Sequence, residues 1–477
     1  MEDTKLTKFL ELTYDELEER NLDMLKKWET KSEKELEKEY SAFLKKEKAI
    51  KAVTICFSNI EGRFHMLDYD KTFFLGSYEN LTFDGSSIRG FSDLGESDLR
   101  LRAEWGSMRL VPADVFGSGK VIMFADVLDK EFKPYHTDFR AQLKAYVEDL
   151  LKKKHMTANL AAEVEGFLVA GKDAEQKYSQ ESPFELISSG GYYHSLPLDG
   201  LKLFIDRSAE VQRAMAFKNE KDHPEVAPSQ FELNFSYMPI LRACDNIQLY
   251  KLVCRQVAEK MDMTATFLPK PLMGINGSGM HMNMSLAKDG KNVFYDPKGE
   301  DGLSKVAWGM ISRILNHAPE ISLVLNPSVN AYRRLDPNFE APNQIKVSSR
   351  DRGSMIRIPM GNERTSRIEI RSVAPDANPY LASLVLLKTG LEGEELEKDA
   401  SKRDRVRFLP GTINDAIRLY KQSDFVGKIL GEDAKEKYLA SKQIVADRSP
   451  KDLGNMVKTS EVIYHHEVTN QVLWHRF

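Results

Sequence analysis

Residues 273–285 read MGINGSGMHMNMS, and from position 280 methionines alternate strictly with the polar residues His281, Asn283 and Ser285. Because successive side chains of a β-strand point to opposite faces, this alternation predicts a strand with one apolar face and one face of ligand-type side chains. The preceding residues 276–279 (NGSG) predict a tight backbone, with positive φ at the glycines, that a ligand can approach closely. The segment therefore predicts a backbone-lined pocket followed by a row of side chains able to bind a ligand.

The composition limits the class of protein. A chain of 477 residues is too long for one ordinary core, and 42% hydrophobic with 29% charged residues describes a globular protein of two or three domains. A net charge of −4 without a long basic run gives no indication of a nucleic-acid partner. The three cysteines lack metal-ligand spacing, no apolar run is long enough to span a bilayer, and the first residues are too charged for a secretory signal. These features predict a cytoplasmic protein with no membrane partner.

The composition and the periodicity of the sequence divide the chain into three parts. Residues 1–50 are rich in Glu and Lys with apolar residues at helical spacing, which predicts solvated helices in a charged extension without chemistry of its own. Residues 51–137 contain the short runs AVTICFSNI, HMLDY, SMRLVPADVF and KVIMFADVL, which predict the strands of a small β-rich domain. Residues 138–477 predict a larger α+β domain that begins with an amphipathic helix over 138–155 and ends in a helical tail. That tail is expected to dock on the body or to clasp another subunit.

A polar, glycine-bearing loop, FDGSSIRGFSDLGESD, occupies residues 83–98 of the small domain. On composition alone such a loop is simply a turn. Asp84 and Ser87 are nevertheless exposed-type groups available for a site.

Carboxylates recur on the predicted strands of the larger domain. Glu163 and Glu165 lie two residues apart in NLAAEVEGFLV and so share one strand face. A proline-containing turn between Glu225 and Glu232 lets both carboxylates return to one place, and Glu369 lies between two arginines in the alternating run RIEIR. For the first pair and for RIEIR, taken alone, a strand face in water is the alternative.

The five glutamates and His281 together predict a divalent-metal site that handles phosphate. Strands that otherwise look buried are a poor place for so many like charges unless cations compensate them. Oxygen-rich sites with little nitrogen and no sulfur favour Mg²⁺ or Mn²⁺ over zinc, and the number of carboxylates indicates two metals.

A set of arginines falls within residues 333–371. Arginine is a fork-shaped, permanently charged partner for carboxylate and phosphate oxygens, so the set predicts binding of a polyphosphate and a carboxylate substrate. Surface salt bridging is the alternative. The set comprises Arg333, Arg334, Arg350, Arg352, Arg357, Arg364, Arg367 and Arg371. No Walker-type sequence and no GxGxxG after a strand occurs, which disfavours P-loop and kinase folds.

An ordered set of motifs between about residues 50 and 390 resembles the type I glutamine synthetases. The motifs are FDGSSIRGF with ESD (83–98), AAEVEGF (161–167), EVAPSQFEL (225–233), KPLMGINGSGMHMNMSL (270–286), NPSVNAYRRLDPNFEAP (326–342), SSRDRGSMIRIP (348–359) and RIEIRSVAPDANPYLA (367–382). The resemblance implies an α+β fold. It would combine a small N-terminal β-grasp-like domain with a large catalytic domain, whose curved antiparallel sheet is flanked by helices.

The same resemblance implies ATP-dependent ligation of ammonia to L-glutamate through γ-glutamyl phosphate, with two or more Mg²⁺ (or Mn²⁺) ions per site. The metal near glutamate would be held by Glu165, Glu225 and Glu232. The second metal, between the ATP phosphates, would be held by Glu163, His281 and Glu369.

The resemblance also implies roles for the remaining residues. Glutamate would be held by Arg334, Arg371, Asn276 and Gly277. The transferring phosphoryl group would meet Arg352 and Arg357. The nucleotide would contact Glu220, Asn283, Ser285 and Arg367. The ammonium site would combine Tyr192, Glu225 and Glu340 with Asp84 and Ser87 of a neighbouring subunit, and Asp84 would take the proton from ammonium. The loop that carries Glu340 would act as a flap that excludes water.

Some features depart from the family or leave alternatives open. Residues 1 to about 35 are additional to its usual start, and residues 397–412 lack the tyrosine on which adenylylation acts in many relatives. The family forms hexameric rings, often stacked as dodecamers with active sites between subunits, so a homo-oligomeric ring is expected. A γ-glutamyl ligase for a polyamine or ethanolamine, and a non-catalytic regulatory relative, are the alternatives. Retention of Asp84, Tyr192 and Glu340 favours ammonia, and the intact carboxylate set favours catalysis.

Overall fold

Two β-sheets organise the chain in the computed structural model, which describes residues 12–88, 91–92, 97–179, 182–194, 199–335, 341–396 and 406–463, with side chains up to residue 448. The helices are α1 (Tyr14–Thr30), α2 (Glu33–Lys46), α3 (Lys71–Ser77), α4 (Ala113–Phe116), α5 (Phe139–Lys154), α6 (Ala174–Lys177), α7 (Gly200–Ala214), α8 (Ile240–Lys260), α9 (Lys305–Leu325), α10 (Val329–Arg334), α11 (Pro379–Glu392), α12 (Ile413–Gln422), α13 (Asp424–Leu430) and α14 (Glu432–Ile463). The strands are β1 (Ala52–Ser58), β2 (Phe64–Asp70), β3 (Leu81–Asp84), β4 (Asp98–Ala103), β5 (Arg109–Leu110), β6 (Lys120–Leu128), β7 (Met156–Ala170), β8 (Asn219–Pro224), β9 (Gln230–Phe235), β10 (Met238–Pro239), β11 (Met263–Thr266), β12 (Met280–Lys288), β13 (Lys291–Asn292), β14 (Gln344–Ser348), β15 (Ser354–Arg357) and β16 (Ile368–Ile370). None of the helices within these residues is long and apolar enough to cross a membrane.

The smaller sheet has the strand order β2-β1-β6-β4-β3, with β5 paired to β6. β1 runs parallel to β6 and antiparallel to β2. Three of the four predicted runs form strands, but the run over 107–116 forms only the two residues of β5 before α4 begins. The strand ends because Pro112 has no backbone N–H to donate, and this proline instead stands at the N-cap of α4.

The N-terminal extension forms the predicted helices α1 and α2, and both pack against the small sheet. Capping boxes at Thr13 and Ser32 begin the two helices. Their apolar sides join the core of the small sheet through Leu17, Met24, Leu36, Tyr40 and Leu44. The expectation of a solvated extension is therefore wrong. An amphipathic helix gains most of its stability from burying its apolar stripe, and here a sheet is available to cover it.

Asn21 joins this extension to the rest of the chain. The residue is 2% exposed; its Nδ2 donates to the carbonyls of Leu110 (2.9 Å) and Ala214 (2.7 Å), and its Oδ1 accepts from the N–H of Leu110 (2.9 Å). Leu110 belongs to β5 in the small sheet, whereas Ala214 ends α7 in the large domain. Helix α1 thus bridges the two parts of the fold.

The larger sheet has the strand order β14-β15-β16-β12-β7-β9-β8 and is antiparallel along this path except between β14 and β15. The nine residues of β12 pair with β7, so β12 is an interior strand. Its methionines are at most 1% exposed and lie in the core, while His281, Asn283 and Ser285 occupy the opposite face. The predicted alternation is confirmed. Glu163 on β7 and Glu369 on β16 also lie on interior strands, so neither belongs to a strand at the sheet edge.

Helices α5 and α8 pack on β7, and α11 packs on both of them. The predicted helix over 138–155 is α5, whose N-cap Asp138 accepts the N–H of Arg140 at 3.0 Å. The Arg140 side chain is 1% exposed and forms ion pairs with Glu104 and Asp126 beside the small sheet and with Asp245 on α8. This buried ion network ties the small sheet to the helical layer.

Candidate active site

The polar face of the large sheet holds a cavity of about 180 Å³. We call it the first cavity. Strands β7, β8, β9, β12 and β15 contribute to its lining together with the loops beside them. Its lining includes the predicted residues Glu163, Glu165, Tyr192, Glu225, Glu232, Asn276, Gly277, His281, Arg334, Arg352, Arg357 and Arg371. The fold therefore brings together residues that lie far apart in the sequence.

A second cavity of about 220 Å³ adjoins the first. It is lined by Glu220, Asn283, Ser285 and Arg367, the four residues predicted to contact a nucleotide. Glu163 and Lys221 line both cavities, so the two spaces meet at these side chains. The exposed ring of Tyr237 also lines the second cavity. Tyr237 was not predicted as a site residue, because one aromatic residue in SYMP carries no periodic signal.

Glu163, His281 and Glu369 form a compact group of metal-ligand type. Strand register explains part of the grouping, since His281 on β12 lies directly opposite Glu163 on β7. The His281 Nδ1 atom is 3.3 Å from Glu163 Oε2 and 3.8 Å from Glu369 Oε1. The family resemblance implied this set of three, and the fold brings all three together.

Glu163 and Glu369 have different surroundings. Burial opposes ionisation of Glu163, but hydrogen bonds from His281 and Asn283 and the nearby positive charges lower its pKa to about 2. Glu369 is fully buried and accepts from Arg357 Nε at 2.5 Å and from Arg371 Nη1 at 2.6 Å. The alternative of a solvated face for RIEIR is therefore wrong, since its carboxylate lies between two guanidinium groups.

The second compact group contains His223, Glu225 and Glu232. His223 lies opposite Glu232 in the β8–β9 ladder, and its Nε2 is 3.5 Å from Glu232 Oε1. Its Nδ1 is 3.7 Å from Glu225 Oε1. His223 was not among the predicted site residues, because strand register is not visible in the sequence.

Glu165 was predicted to complete this second set, but the structure places it between the two groups. It lies opposite Glu232 across the β7–β9 ladder. Its Oε2 accepts the N–H of Gly279 at 2.8 Å, and its Oε1 is 3.8 Å from His281 Nε2. Glu165 therefore lines the same cavity without belonging to the compact group.

The protonation of these carboxyls fits a site built for cations. Burial, followed by the charges of Glu165 and Glu232, raises the pKa of Glu225 to about 9. Burial and the neighbouring Glu232 also raise the pKa of Glu165. A divalent cation would relieve this repulsion, and carboxylate oxygens with one imidazole per group are donors suited to Mg²⁺ or Mn²⁺.

Arg334 enters the first cavity from the end of α10. Its side chain is buried, and Nη2 donates to the carbonyl of Arg371 at 3.0 Å while Nη1 donates to that of Val373 at 3.3 Å. Burial lowers the pKa of Arg334 to about 10, partly offset by Glu165, so the group remains charged at neutral pH. Arg371 also donates through Nε to the carbonyl of Arg352 at 3.3 Å.

The glycines of NGSG lie where other atoms approach the backbone closely. A Cβ at Gly277 would lie 2.4 Å from the carbonyl oxygen of Pro269, and a Cβ at Gly279 would lie 2.5 Å from Arg334 Nη2. Neither glycine has a positive φ, so that part of the expectation is wrong; within 273–285 the positive φ belongs to Gly274. The glycines thus give Arg334 and its neighbours room beside β12.

A hydrogen-bonded chain connects the two cavities. Arg367 Nε donates to Asn283 Oδ1 at 2.9 Å, and Asn283 Nδ2 donates to Glu163 Oε1 at 3.2 Å. A ligand in the second cavity would therefore be electrostatically linked to the carboxylates of the first.

The residues predicted for the ammonium site do not all line the cavities of their own chain. Tyr192 lines the first cavity, stacked on Tyr193 with ring centroids 3.9 Å apart. Asp84 and Ser87 lie at the end of β3 in the small sheet and line neither cavity. Hydrogen bonds from Ser86 and Ser87 lower the pKa of Asp84. Glu340 lies outside the described residues.

Comparison with known proteins gives consistent matches along the chain. The family model for the glutamine synthetase catalytic domain matches residues 136–452, and that for the glutamine synthetase beta-Grasp domain matches residues 49–130. A glutamine synthetase of Staphylococcus aureus is 36% identical over 384 residues, covering 77% of this chain and 84% of the relative. One of Methanosarcina mazei is 37% identical over 390 residues, covering 78% and 85%.

Solved structures of the same fold are also similar. A Plasmodium falciparum glutamine synthetase superposes with a TM-score of 0.76 at 20% identity, covering 87% of this chain and 96% of its own. A GmaS complex with ADP gives a TM-score of 0.74 at 24% identity, covering 91% and 98%. The α+β fold, with its small β-grasp domain and its large domain of a curled sheet and helices, is thereby confirmed.

Proposed function

The chain belongs to the glutamine synthetase family, and we propose that it ligates ammonia to L-glutamate with ATP, giving L-glutamine, ADP and phosphate through γ-glutamyl phosphate. The observation that carries this proposal is the pair of adjoining cavities, one rich in carboxylates and arginines and the other beside Arg367 and Ser285. Phosphoryl transfer between two substrates needs such an arrangement, because both reacting groups must be held in contact while charge develops.

Two divalent ions, Mg²⁺ or Mn²⁺, are part of the proposal. One would be held by Glu163, His281 and Glu369, and the other by Glu225 and Glu232 with Glu165 and His223 beside them. When bound, the ions would offset the charge of the phosphates. The pKa of Glu225, raised to about 9 by burial and by neighbouring carboxylates, supports this need for cations.

The chain's own residues would bind, orient and protect the reactants. Arg334 and Arg371 would hold the carboxylates of glutamate beside Asn276 and Gly277, which line the same cavity. The phosphoryl group would meet Arg352 and Arg357, and the nucleotide would contact Glu220, Asn283, Ser285 and Arg367. Since acyl phosphate is labile in water, the loop carrying Glu340 would exclude solvent.

Ammonium capture would require a second subunit. Asp84 and Ser87 line neither cavity of their own chain. We propose that they complete the neighbour's site in a homo-oligomeric ring, a hexamer or a dodecamer of two rings. There, Asp84 would accept the proton that ammonium loses before attack, since hydrogen bonds from Ser86 and Ser87 keep it ionised.

A ligase for an alkylated amine is the second candidate, and one feature of the first cavity favours it. The stacked rings of Tyr192 and Tyr193, with Val226, line the cavity next to Glu225. Aromatic faces near a carboxylate attract organic ammonium ions. A regulatory protein without catalysis is less favoured, because binding alone has no need of so many mutually repelling carboxylates.

Phosphate release measured with ATP, Mg²⁺ and L-glutamate distinguishes the ammonia ligase, the ligase for an alkylated amine and the regulatory protein. Ammonium, methylamine, ethanolamine and a polyamine are added one at a time, and the products are identified by mass spectrometry. We expect ammonium to stimulate release most strongly and to give glutamine. Greater stimulation by another amine would establish the second candidate, and no stimulation by any amine would exclude catalysis. Glu163→Gln serves as the inactive control.

A further inference from the structure

Lys221 lies where the two cavities meet. It and Glu163 are the only residues shared by the two linings among the described part of the chain. The family resemblance gave Lys221 no role. Its neighbour Glu220 lines the second cavity, and His223, two residues further on, belongs to the compact group with Glu225 and Glu232. Its position is therefore that of a group between the two substrates.

A β-bulge in β8 explains why Lys221 faces the cavities together with its neighbour. In the β8–β9 ladder Asn219 lies opposite Phe235 and Lys221 lies opposite Asn234, so Glu220 is an extra residue. Strict alternation would turn adjacent side chains to opposite faces, but a bulge re-aims them locally. Both Glu220 and Lys221 consequently line the second cavity.

The rest of β8 follows the ordinary alternation. Asp222 lies between Lys221 and His223 and pairs with Arg213 of α7, whose Nη2 is 3.5 Å from Asp222 Oδ2. His223, two residues beyond Lys221, faces Glu225 and Glu232. Lys221 and His223 thus share the face of the strand that carries the carboxylates.

The ammonium group of Lys221 is left without a direct partner among the described residues. Several cations of the site are already engaged there: Arg357 and Arg371 hold Glu369, and Arg367 donates to Asn283. The ammonium of Lys221, on an exposed side chain, forms no hydrogen bond or ion pair with the described residues. Its charge nevertheless reaches Glu163 and helps to lower the pKa of that carboxyl.

We propose that Lys221 is a further substrate-binding residue, whose ammonium contacts the γ-phosphate of ATP at the junction of the two cavities. The inference rests on the proposed phosphoryl transfer. A γ-carboxylate oxygen of glutamate forms a bond to the γ-phosphorus, the bond from that phosphorus to the β,γ-bridging oxygen breaks, and ADP leaves with the electron pair. Lys221 keeps its protons throughout and acts as a compact point charge on the moving phosphoryl group.

Measurements of nucleotide affinity distinguish a direct contact with the γ-phosphate from a general effect of the lysine charge. The affinities of a β,γ-imido analogue of ATP and of ADP are measured with Mg²⁺ on the full chain. In Lys221→Met we expect analogue binding to weaken by about 10- to 100-fold, the range for a lost hydrogen bond to a charged group, while ADP binding changes less than about 3-fold. Lys221→Arg should recover most of the analogue affinity, since it keeps the charge.

Lys218→Met is the matched control, because Lys218 is an exposed lysine just before β8 and lines neither cavity. It should bind both nucleotides as the unmodified chain does. Equal weakening of analogue and ADP in Lys221→Met, or no weakening, would overturn the inference even in an active ligase. If the unmodified chain binds neither nucleotide, the proposed function fails, and the inference fails with it.

Discussion

Replacing Asn21 by leucine would test whether α1 holds the two parts of the fold together. Leucine has nearly the same size but cannot make the three hydrogen bonds that the amide forms with Leu110 and Ala214. One buried backbone N–H and two carbonyls would lose their partner. At the lower end of the cost of an unsatisfied buried group, about 1 kcal/mol each, the sum is about 3 kcal/mol.

Hydrogen–deuterium exchange measures this loss of stability locally, at the backbone amides next to Asn21. Since about 1.4 kcal/mol corresponds to a factor of ten, protection of a peptide over residues 108–112 should fall by about 100-fold in Asn21→Leu. Lys26→Ala, on an exposed position of the same helix, should change stability by no more than about 0.5 kcal/mol. Unchanged protection at 108–112 in Asn21→Leu would refute the reasoning, because it would mean that these hydrogen bonds do not hold β5 to α1.

Four further predictions concern the site and the buried charges. Binding of Mg²⁺ near pH 7.5 should release about one proton, because Glu225 with a pKa of about 9 is protonated until a cation binds. Calorimetry in buffers of different ionisation enthalpy measures this proton release, and binding heats that do not depend on the buffer would contradict the prediction. In the metal-free protein the same shift, up from 4.5, makes stability fall as pH rises from about 4.5 to about 9, because the unfolded carboxyl loses its proton first. Asp84→Ala should abolish ammonium-stimulated phosphate release while leaving affinity for the ATP analogue unchanged, and normal activity would refute its role. Arg140→Met should destabilise the fold by about 3–5 kcal/mol, since three buried carboxylates lose the guanidinium group that lies between them, whereas exposed Lys153→Met on the same helix should not; equal unfolding transitions in the two variants would contradict this.

Strand patterns in the sequence predicted much of the candidate site. The alternation around His281 and the pair Glu163–Glu165 each follow from the two-residue period of a strand, which depends only on neighbouring residues. Which carboxylates form a group depends on the register between strands. His223 lies opposite Glu232, and Glu165 accepts the N–H of Gly279, so the compact group contains His223 rather than Glu165, while the metal set that includes Glu165 stays a prediction. No residue-to-residue pattern within one strand carries that information.

The N-terminal extension shows the same limit for packing. Its charged composition predicted helices correctly, but the apolar stripe of α1 and α2 is covered by the small sheet. Whether a stripe stays in water depends on a complementary surface elsewhere in the chain, and Asn21 finds its partners 89 and 193 residues away.

The sequence by itself determined the kinds of groups in this protein, the periodicity that places them on one face of β12 and β7, and the helices and strands that carry them. These properties follow from local backbone geometry. The tertiary structure alone decided that two cavities adjoin at Glu163 and Lys221, that a bulge turns Glu220 and Lys221 to the same side, and that NGSG gives Arg334 room. Register, bulges and close approach are set by packing between distant segments, and the free energy that selects them appears only when those segments meet.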